Sequence, residues 1–262
     1  MATSSTSTST STSTTGSSIA VFVVLTIFYT ILRQVLGVKY KDPTAPKRLN
    51  ILLGIYAIGF FISLYTLNLQ ASKALCGTAQ TGPVLIVSLL AFLLMFGILP
   101  LLFAFLPGWK APFSNTIGYI GAYFGGVEGV FQSMMATGPS AGNPMLQKLQ
   151  NNKSLMINEI TLKNFDTFMK GLKKNKIIGD GAKKYYGKLY KLVALKDGLS
   201  EMMWYILVGI LVIFTSSQAL LEISCTKNAA AMLAKSAEWN SAQDVSGNDV
   251  DSNNTKVYSI RE

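Results

Sequence analysis

"PVLIVSLLAFLLMFGILPLLFAFL", residues 83–106, runs for 24 residues without a charged side chain. The hydrocarbon core of a bilayer is about 30 Å thick, and about 20 apolar residues of α-helix cross it. The stretch therefore predicts a membrane-spanning helix, and with it the class of the whole protein. Pro83 falls in its first turn, where proline is tolerated. Pro100 lies inside it and predicts a kink. Three further runs have the same character: Ile19–Val38, Leu49–Leu69 and Met202–Leu221. Arg33 stands near one end of the first run, where its long stem predicts snorkelling to the headgroups.

Composition agrees. Half of the 262 residues are hydrophobic and 14% are charged, against roughly 25% charged in ordinary soluble domains. The net charge of +10 is carried by few residues and must be concentrated. There is no histidine, which removes the commonest general base and metal ligand. Ser-His-Asp and Cys-His catalysis, and His-ligated zinc or haem, are excluded. No enzymatic role, cofactor or metal is expected. "GAKKYYGKL" fails as a phosphate-binding loop: five residues separate Gly181 from Gly187, and Leu189 stands where a hydroxyl should bind magnesium. "GYIGAYFGG" suits close helix packing better than dinucleotide binding. Only Glu222 is read as bordering a span, so an ion pathway has little support.

Lysine and arginine set the orientation. The first connection, "KYKDPTAPKR", carries Lys39, Lys41, Lys47 and Arg48; the second carries only Lys73; the third, Lys110 to Ser200, is rich in lysine. The positive-inside rule makes the first and third connections cytosolic. Trp109 and Trp204 flank the third connection, as interfacial tryptophans do. The expectation is an all-α polytopic membrane protein: a disordered Ser/Thr-rich tail (1–18), three spans with short connections (19–109), a lysine-rich helical cytosolic domain (110–200), a fourth span (201–224) and a polar tail (225–262). The Ser/Thr tract reads as a solvated tail, with O-glycosylation as the alternative. Thr116–Gly138 contains Glu128 and several glycines. A buried or interfacial helix is the favoured reading, because a carboxylate at mid-span costs roughly 2.5–3.5 kcal/mol; a fifth span or re-entrant loop is the alternative.

Two amphipathic helices follow from the 3.6-residue period. Leu162, Phe165, Phe168, Met169 and Leu172 share one face, with Lys170, Lys173 and Lys174 beside it. Ala182, Tyr185, Tyr186, Leu189, Tyr190 and Val193 share another, opposite Lys183, Lys184, Lys188 and Lys191. Asn143-Pro144 resembles the start of a further helix, and Gly179–Gly181 a turn. The basic helices have three uses: lying on anionic lipid headgroups, packing together as a small domain with solvated lysines, or binding nucleic-acid phosphates. The last is weakest, since the tyrosines lie on the apolar face. Asp166, Asp180 and Glu159 read as salt-bridge partners of these lysines.

"PGWKAPFSNTIGY" follows the most apolar run. Pro107-Gly108 should end the helix, Trp109 anchor the exit, Pro112 delay a new helix and hold Ala111 extended, and Ser114, Asn115 or Thr116 cap a helix starting near Ile117. The alternative is a plain interfacial loop. Through Pro107, Gly108, Trp109, Pro112, Phe113, Ser114, Asn115, Thr116, Gly118 and Tyr119, the segment resembles one in virion membrane proteins of the nucleocytoplasmic large DNA viruses, the chlorella-virus-like group among them. The resemblance covers these residues and the preceding span. It implies a structural component of an internal, endoplasmic-reticulum-derived virion membrane, akin in role to minor capsid proteins that tie bilayer to capsid. Capsid or other minor capsid proteins would be its partners, and Pro107, Trp109, Pro112, Phe113 and Asn115 the interaction corner. A channel or transporter subunit, and a basic membrane anchor for nucleic acid, are the alternatives.

With four spans, Cys76 and Cys225 fall on the same non-cytosolic side, close to the membrane surface. A disulfide between them is expected; two free thiols are the alternative.

Overall fold

The computed structural model describes residues 7–37, 39–135, 153–223, 225 and 237. The expected helix start at Asn143-Pro144 and the polar tail, apart from Cys225 and Ala237, lie outside the described residues. Among these residues there is no strand, only an isolated bridge between Met135 and Ile178. Four helices are long and apolar enough to cross a membrane, over Gly16–Leu36, Ala45–Cys76, Thr81–Phe105 and Asp180–Leu221.

Helix α1 spans Ser7–Gly37, so most of the Ser/Thr tract is helical where a disordered tail was expected. Once an apolar span has paid for nucleation, each added residue brings a hydrogen bond without a new nucleus, and Ser and Thr oppose that only weakly. Helix α2 is Ala45–Cys76. The third span is composite: α3 (Thr81–Ala91), a π-helical stretch (Phe92–Gly97) and α4 (Ile98–Phe105). The widened turn sits directly before Pro100, whose missing N–H frees the carbonyl four residues back, at Phe96. The chain then turns at Leu106, forms a 3-10 turn (Pro107–Lys110), and continues through α5 (Ala111–Phe113), a π-helical stretch (Ser114–Gly118) and α6 (Tyr119–Phe124).

The cytosolic-side reading of Thr116–Gly138 needs one refinement. Gly126 adopts φ +83°, a conformation glycine takes without strain. It breaks the segment into α6 and α7 (Val127–Met134), each too short to span. Then come α8 (Lys153–Glu159), α9 (Phe165–Lys174), a 3-10 turn (Asp180–Tyr185) and α10 (Tyr186–Leu221). No break separates the lysine-rich region from the fourth span at 200–201: α10 runs through both as one 36-residue helix.

Two cores result. In the apolar bundle, Phe22 and Tyr29 of α1, Tyr56, Phe60 and Leu64 of α2, Phe96 and Leu99 of the third span, and Tyr205, Val212 and Ile213 of α10 pack together. Their rings interlock, with Phe60–Phe96 centroids at 4.9 Å and Tyr56–Tyr205 at 5.6 Å. Interhelical hydrogen bonds add to this: Thr26 Oγ1 with Tyr56 Oη at 2.9 Å, and Asn68 Nδ2 donating to Ser88 Oγ at 2.9 Å. The outward faces of the same helices are also apolar and exposed, among them Val24, Phe28, Ile55, Ile58, Leu94, Leu211 and Phe214. A bundle apolar inside and out is compatible with a lipid surround.

The second core belongs to the lysine-rich unit. Val127, Phe131 and Met134 of α7, Ile157 of α8, Phe165, Met169 and Leu172 of α9, and Leu189 and Val193 of α10 are buried together, with Leu162, Phe168, Tyr185, Tyr186 and Tyr190 packed against them. Lys170, Lys173, Lys174, Lys183, Lys184, Lys188 and Lys191 all lie exposed on its outside.

The Ala111–Phe124 segment packs closely along α10. A Cβ added at Gly118 would overlap the main-chain carbonyl oxygen of Lys196, which cannot move aside as a side chain can. We expect Gly118→Ala to destabilise the protein by about 1–3 kcal/mol through overpacking. Gly129→Ala, where nothing lies within 4 Å, should instead gain up to about 1 kcal/mol from helix propensity. Unfolding of the two variants in detergent micelles gives the comparison, and equal effects would show that this helix contact is loose.

Candidate functional site: a buried charge cluster at the bundle's basic end

Arg33 lies near the end of α1, Lys110 just after the third span, and Asp197 and Glu201 one turn apart on α10. Their i, i+4 spacing aims both carboxylates to one side. Lys110 Nζ donates to Asp197 Oδ2 at 3.0 Å and to Glu201 Oε1 at 2.9 Å. Arg33 Nη2 donates to Glu201 Oε1 at 3.0 Å, its Nη1 pairs with Glu201 Oε2, and Asp197 lies 3.7 Å away. All four side chains are at most 16% exposed. Arg33 therefore does not snorkel: two carboxylates within reach give it a better partner than the headgroups. Ser200 Oγ donates to the Lys110 carbonyl at 2.7 Å, tying the span exit to the same turn of α10.

Lys196, 1% exposed, extends the lock in another direction. Its ammonium donates to the carbonyls of Ile157 (2.9 Å) and Asn158 (3.0 Å). Those carbonyls lie in the last turn of α8, where a cation is favoured.

The interaction corner is only partly assembled. Trp109 and Phe113 both pack against Trp204 of α10, the first tilted and the second edge-on, at 5.7 and 5.0 Å between centroids, and Pro107 opens the 3-10 turn that carries Trp109. Asn115 is exposed and caps nothing. The helix resumes already at Ala111, which has φ −55° and ψ −40° and is not extended. Pro112 sits in the first turn of that helix, where its missing N–H would lack a partner anyway. Thr116 Oγ1 bonds back to the Pro112 carbonyl at 2.6 Å, a mid-helix pattern and not a cap.

The remaining carboxylates divide. Asp180 pairs loosely with Lys173 at 3.4 Å on the surface. Asp166 accepts a 2.5 Å hydrogen bond from the Tyr40 hydroxyl rather than a lysine, and Glu128 accepts one from Tyr119 at 2.7 Å. Burial first, and then these carboxylates, push both phenols up to about 12. Asp42 is held well below the usual range by the hydroxyl and amide of Thr44 and by Arg48. Glu201 borders the fourth span as Glu222 does at its other end, a position missed in the sequence. The local signal was Asp197 four residues before it, a spacing that puts two carboxylates on one side of a helix.

Cys76, at the end of α2, and Cys225, just beyond α10, are joined by a disulfide with Cα atoms 5.3 Å apart. It lies at the opposite end of the bundle from the charge cluster. Compared with protein-family models, curated proteins and solved structures, the chain matches none of them.

Proposed function

We propose that this is a multi-pass membrane protein with a structural role, holding a rigid basic helical unit on one face of a bilayer. The observation that supports it best is the buried Arg33–Lys110–Asp197–Glu201 cluster. It fastens the lysine-rich unit to α1, to the exit of the third span and to α10 at once. Two cations face two anions, so the four charges neutralise one another. That favours a lock over an ion pathway, which needs a carboxylate free to change partners. The exposed apolar surface of the four helices supports the bilayer, and the lysine bias supports a cytosolic origin for the basic face.

The resemblance of the Pro107–Tyr119 segment extends the reading to a large icosahedral DNA virus. There the basic unit would face the capsid layer from the internal membrane, and its exposed lysines and corner would meet capsid or minor capsid proteins.

The test has two parts. Protease added to the cytosolic side of microsomes should cut in the lysine-rich region and spare the Cys76–Cys225 end; protection of the lysines overturns the orientation. In purified particles stripped of external membrane, the chain should remain with the internal bilayer and cross-link through Lys170–Lys191 to a capsid-layer protein. Release with the external membrane overturns the virion role.

A further inference from the structure

Beside the charge cluster, a cavity of about 480 Å³ opens between the Lys39–Thr44 connection, the first turns of α2 and the lysine-rich unit. Its apolar wall includes Leu49 and Leu53 of α2, and its polar rim includes Lys39, Lys41 and Lys163. From these observations we propose that the cavity is a binding site for the phosphate headgroup of an anionic phospholipid. The inference rests on the membrane reading above.

Charge argues for an anion. The cavity's two carboxylates are already engaged: Asp42 by Arg48 and Thr44, and Asp166 by the Tyr40 hydroxyl. Arg33, which also borders the cavity, is held by Glu201. Among the described residues, Lys39, Lys41 and Lys163 have no carboxylate partner, and Lys41 only approaches the Tyr40 ring, at 5.5 Å. Three lysines without a carboxylate partner thus line one concavity and outnumber Asp166, the carboxylate there that has only a neutral hydroxyl as partner.

The backbone is shaped for it. Lys41 sits in the left-handed region at φ 60°, uncommon for a residue that is neither glycine nor asparagine. The conformation closes a tight turn, in which the Asp42 N–H donates to the Lys39 carbonyl at 3.2 Å. Tyr40, between them, is fixed by its Asp166 hydrogen bond and by Phe165 and Tyr190, each 5.4 Å away between centroids. The rim is therefore braced rather than a loose loop.

Depth argues for a lipid. Leu49 and Leu53 stand where α2 passes from the basic connection into its apolar run, so the cavity borders both. A headgroup seated among the lysines would rest its glycerol end against these two leucines. A cavity of this size suits a glycerophosphate with its substituent. A soluble phosphate would satisfy the same lysines but not the apolar wall.

The experiment uses the full chain in detergent micelles, titrated with short-chain phosphatidylserine and phosphatidylcholine and followed by native mass spectrometry and thermal shift. Phosphatidylserine should bind and stabilise, and phosphatidylcholine should bind at least ten-fold more weakly. Near an anionic surface each lysine is worth about five-fold. Combined Lys39→Gln, Lys41→Gln and Lys163→Gln should therefore weaken phosphatidylserine at least ten-fold. Lys183→Gln, Lys184→Gln and Lys188→Gln together, an equal charge change on the exposed helix, should alter it less than two-fold. Circular dichroism of both variants confirms folding. Equal binding of the two lipids, or loss in the helix variant and not the cavity variant, overturns the site. Displacement of the lipid by equimolar glycerophosphoserine or inorganic phosphate makes the ligand soluble and overturns the lipid assignment. A chain that stays dispersed without detergent would instead refute the membrane reading itself.

Discussion

Glu201→Leu should be among the most damaging single substitutions in this protein, costing about 3–5 kcal/mol, as removal of one partner from a buried ion pair does. Glu201 is the hub of the cluster: it accepts from both Arg33 and Lys110. Without it, two buried cations share Asp197 alone, and Arg33 keeps only a 3.7 Å approach. Arg33→Met combined with Glu201→Leu leaves Lys110 paired with Asp197 at 3.0 Å, with the charges again balanced. Replacing a buried pair by apolar side chains of similar volume is often neutral, so the double variant should recover most of the loss. Reversible unfolding in mixed micelles measures both. A double variant as unstable as the single one would show that shape at Glu201, not charge balance, holds the junction. A loss below about 1 kcal/mol for the single variant would place the cluster with weak surface pairs.

The difference between what could and could not be read in the sequence has a physical basis. Apolar runs such as Pro83–Leu106 are legible because bilayer crossing demands local, continuous hydrophobicity, and all four reappear as long apolar helices. The stripes through Phe165–Leu172 and Ala182–Val193 are legible because burial repeats with the helical period. The charge cluster was not, because its members lie at positions 33, 110, 197 and 201, and only folding brings them together. Each looked locally ordinary: an arginine near a span end, a lysine after a tryptophan, an acidic pair on a polar helix. The corner was misread for a different reason. Proline and hydroxyl residues signal a helix start, but they do not say at which residue it falls. Here α10 offers packing for Gly118 and for Phe113 against Trp204, so the helix begins at Ala111, ahead of the expected cap. The boundary at 200–201 was likewise set by a change of composition, to which the backbone of α10 is indifferent.

Removing the other fastening of the bundle, the Cys76–Cys225 disulfide, should cost about 2–4 kcal/mol. The bond closes a loop of 149 residues, for which the chain-entropy account gives an upper guide of about 5 kcal/mol. The guide is not reached where inserted helices persist in the unfolded state, because the loop is then already restricted. The bond joins the end of α2 to the chain just beyond α10, while the charge cluster joins α1, the third-span exit and α10 at the basic end. From Glu201 to Leu221 the helix rises about 30 Å, so the two fastenings share no partner and their losses should add to within about 0.5 kcal/mol. Cys76→Ser, Cys225→Ser and the double variant should be equally destabilised, since each abolishes the same bond. Mass spectrometry of the unreduced protein should find one peptide pair joining Cys76 to Cys225. Full alkylation of both thiols under denaturing, non-reducing conditions would show that the bond does not form. Marked non-additivity with Glu201→Leu would show instead that the two ends of the bundle are coupled along α10.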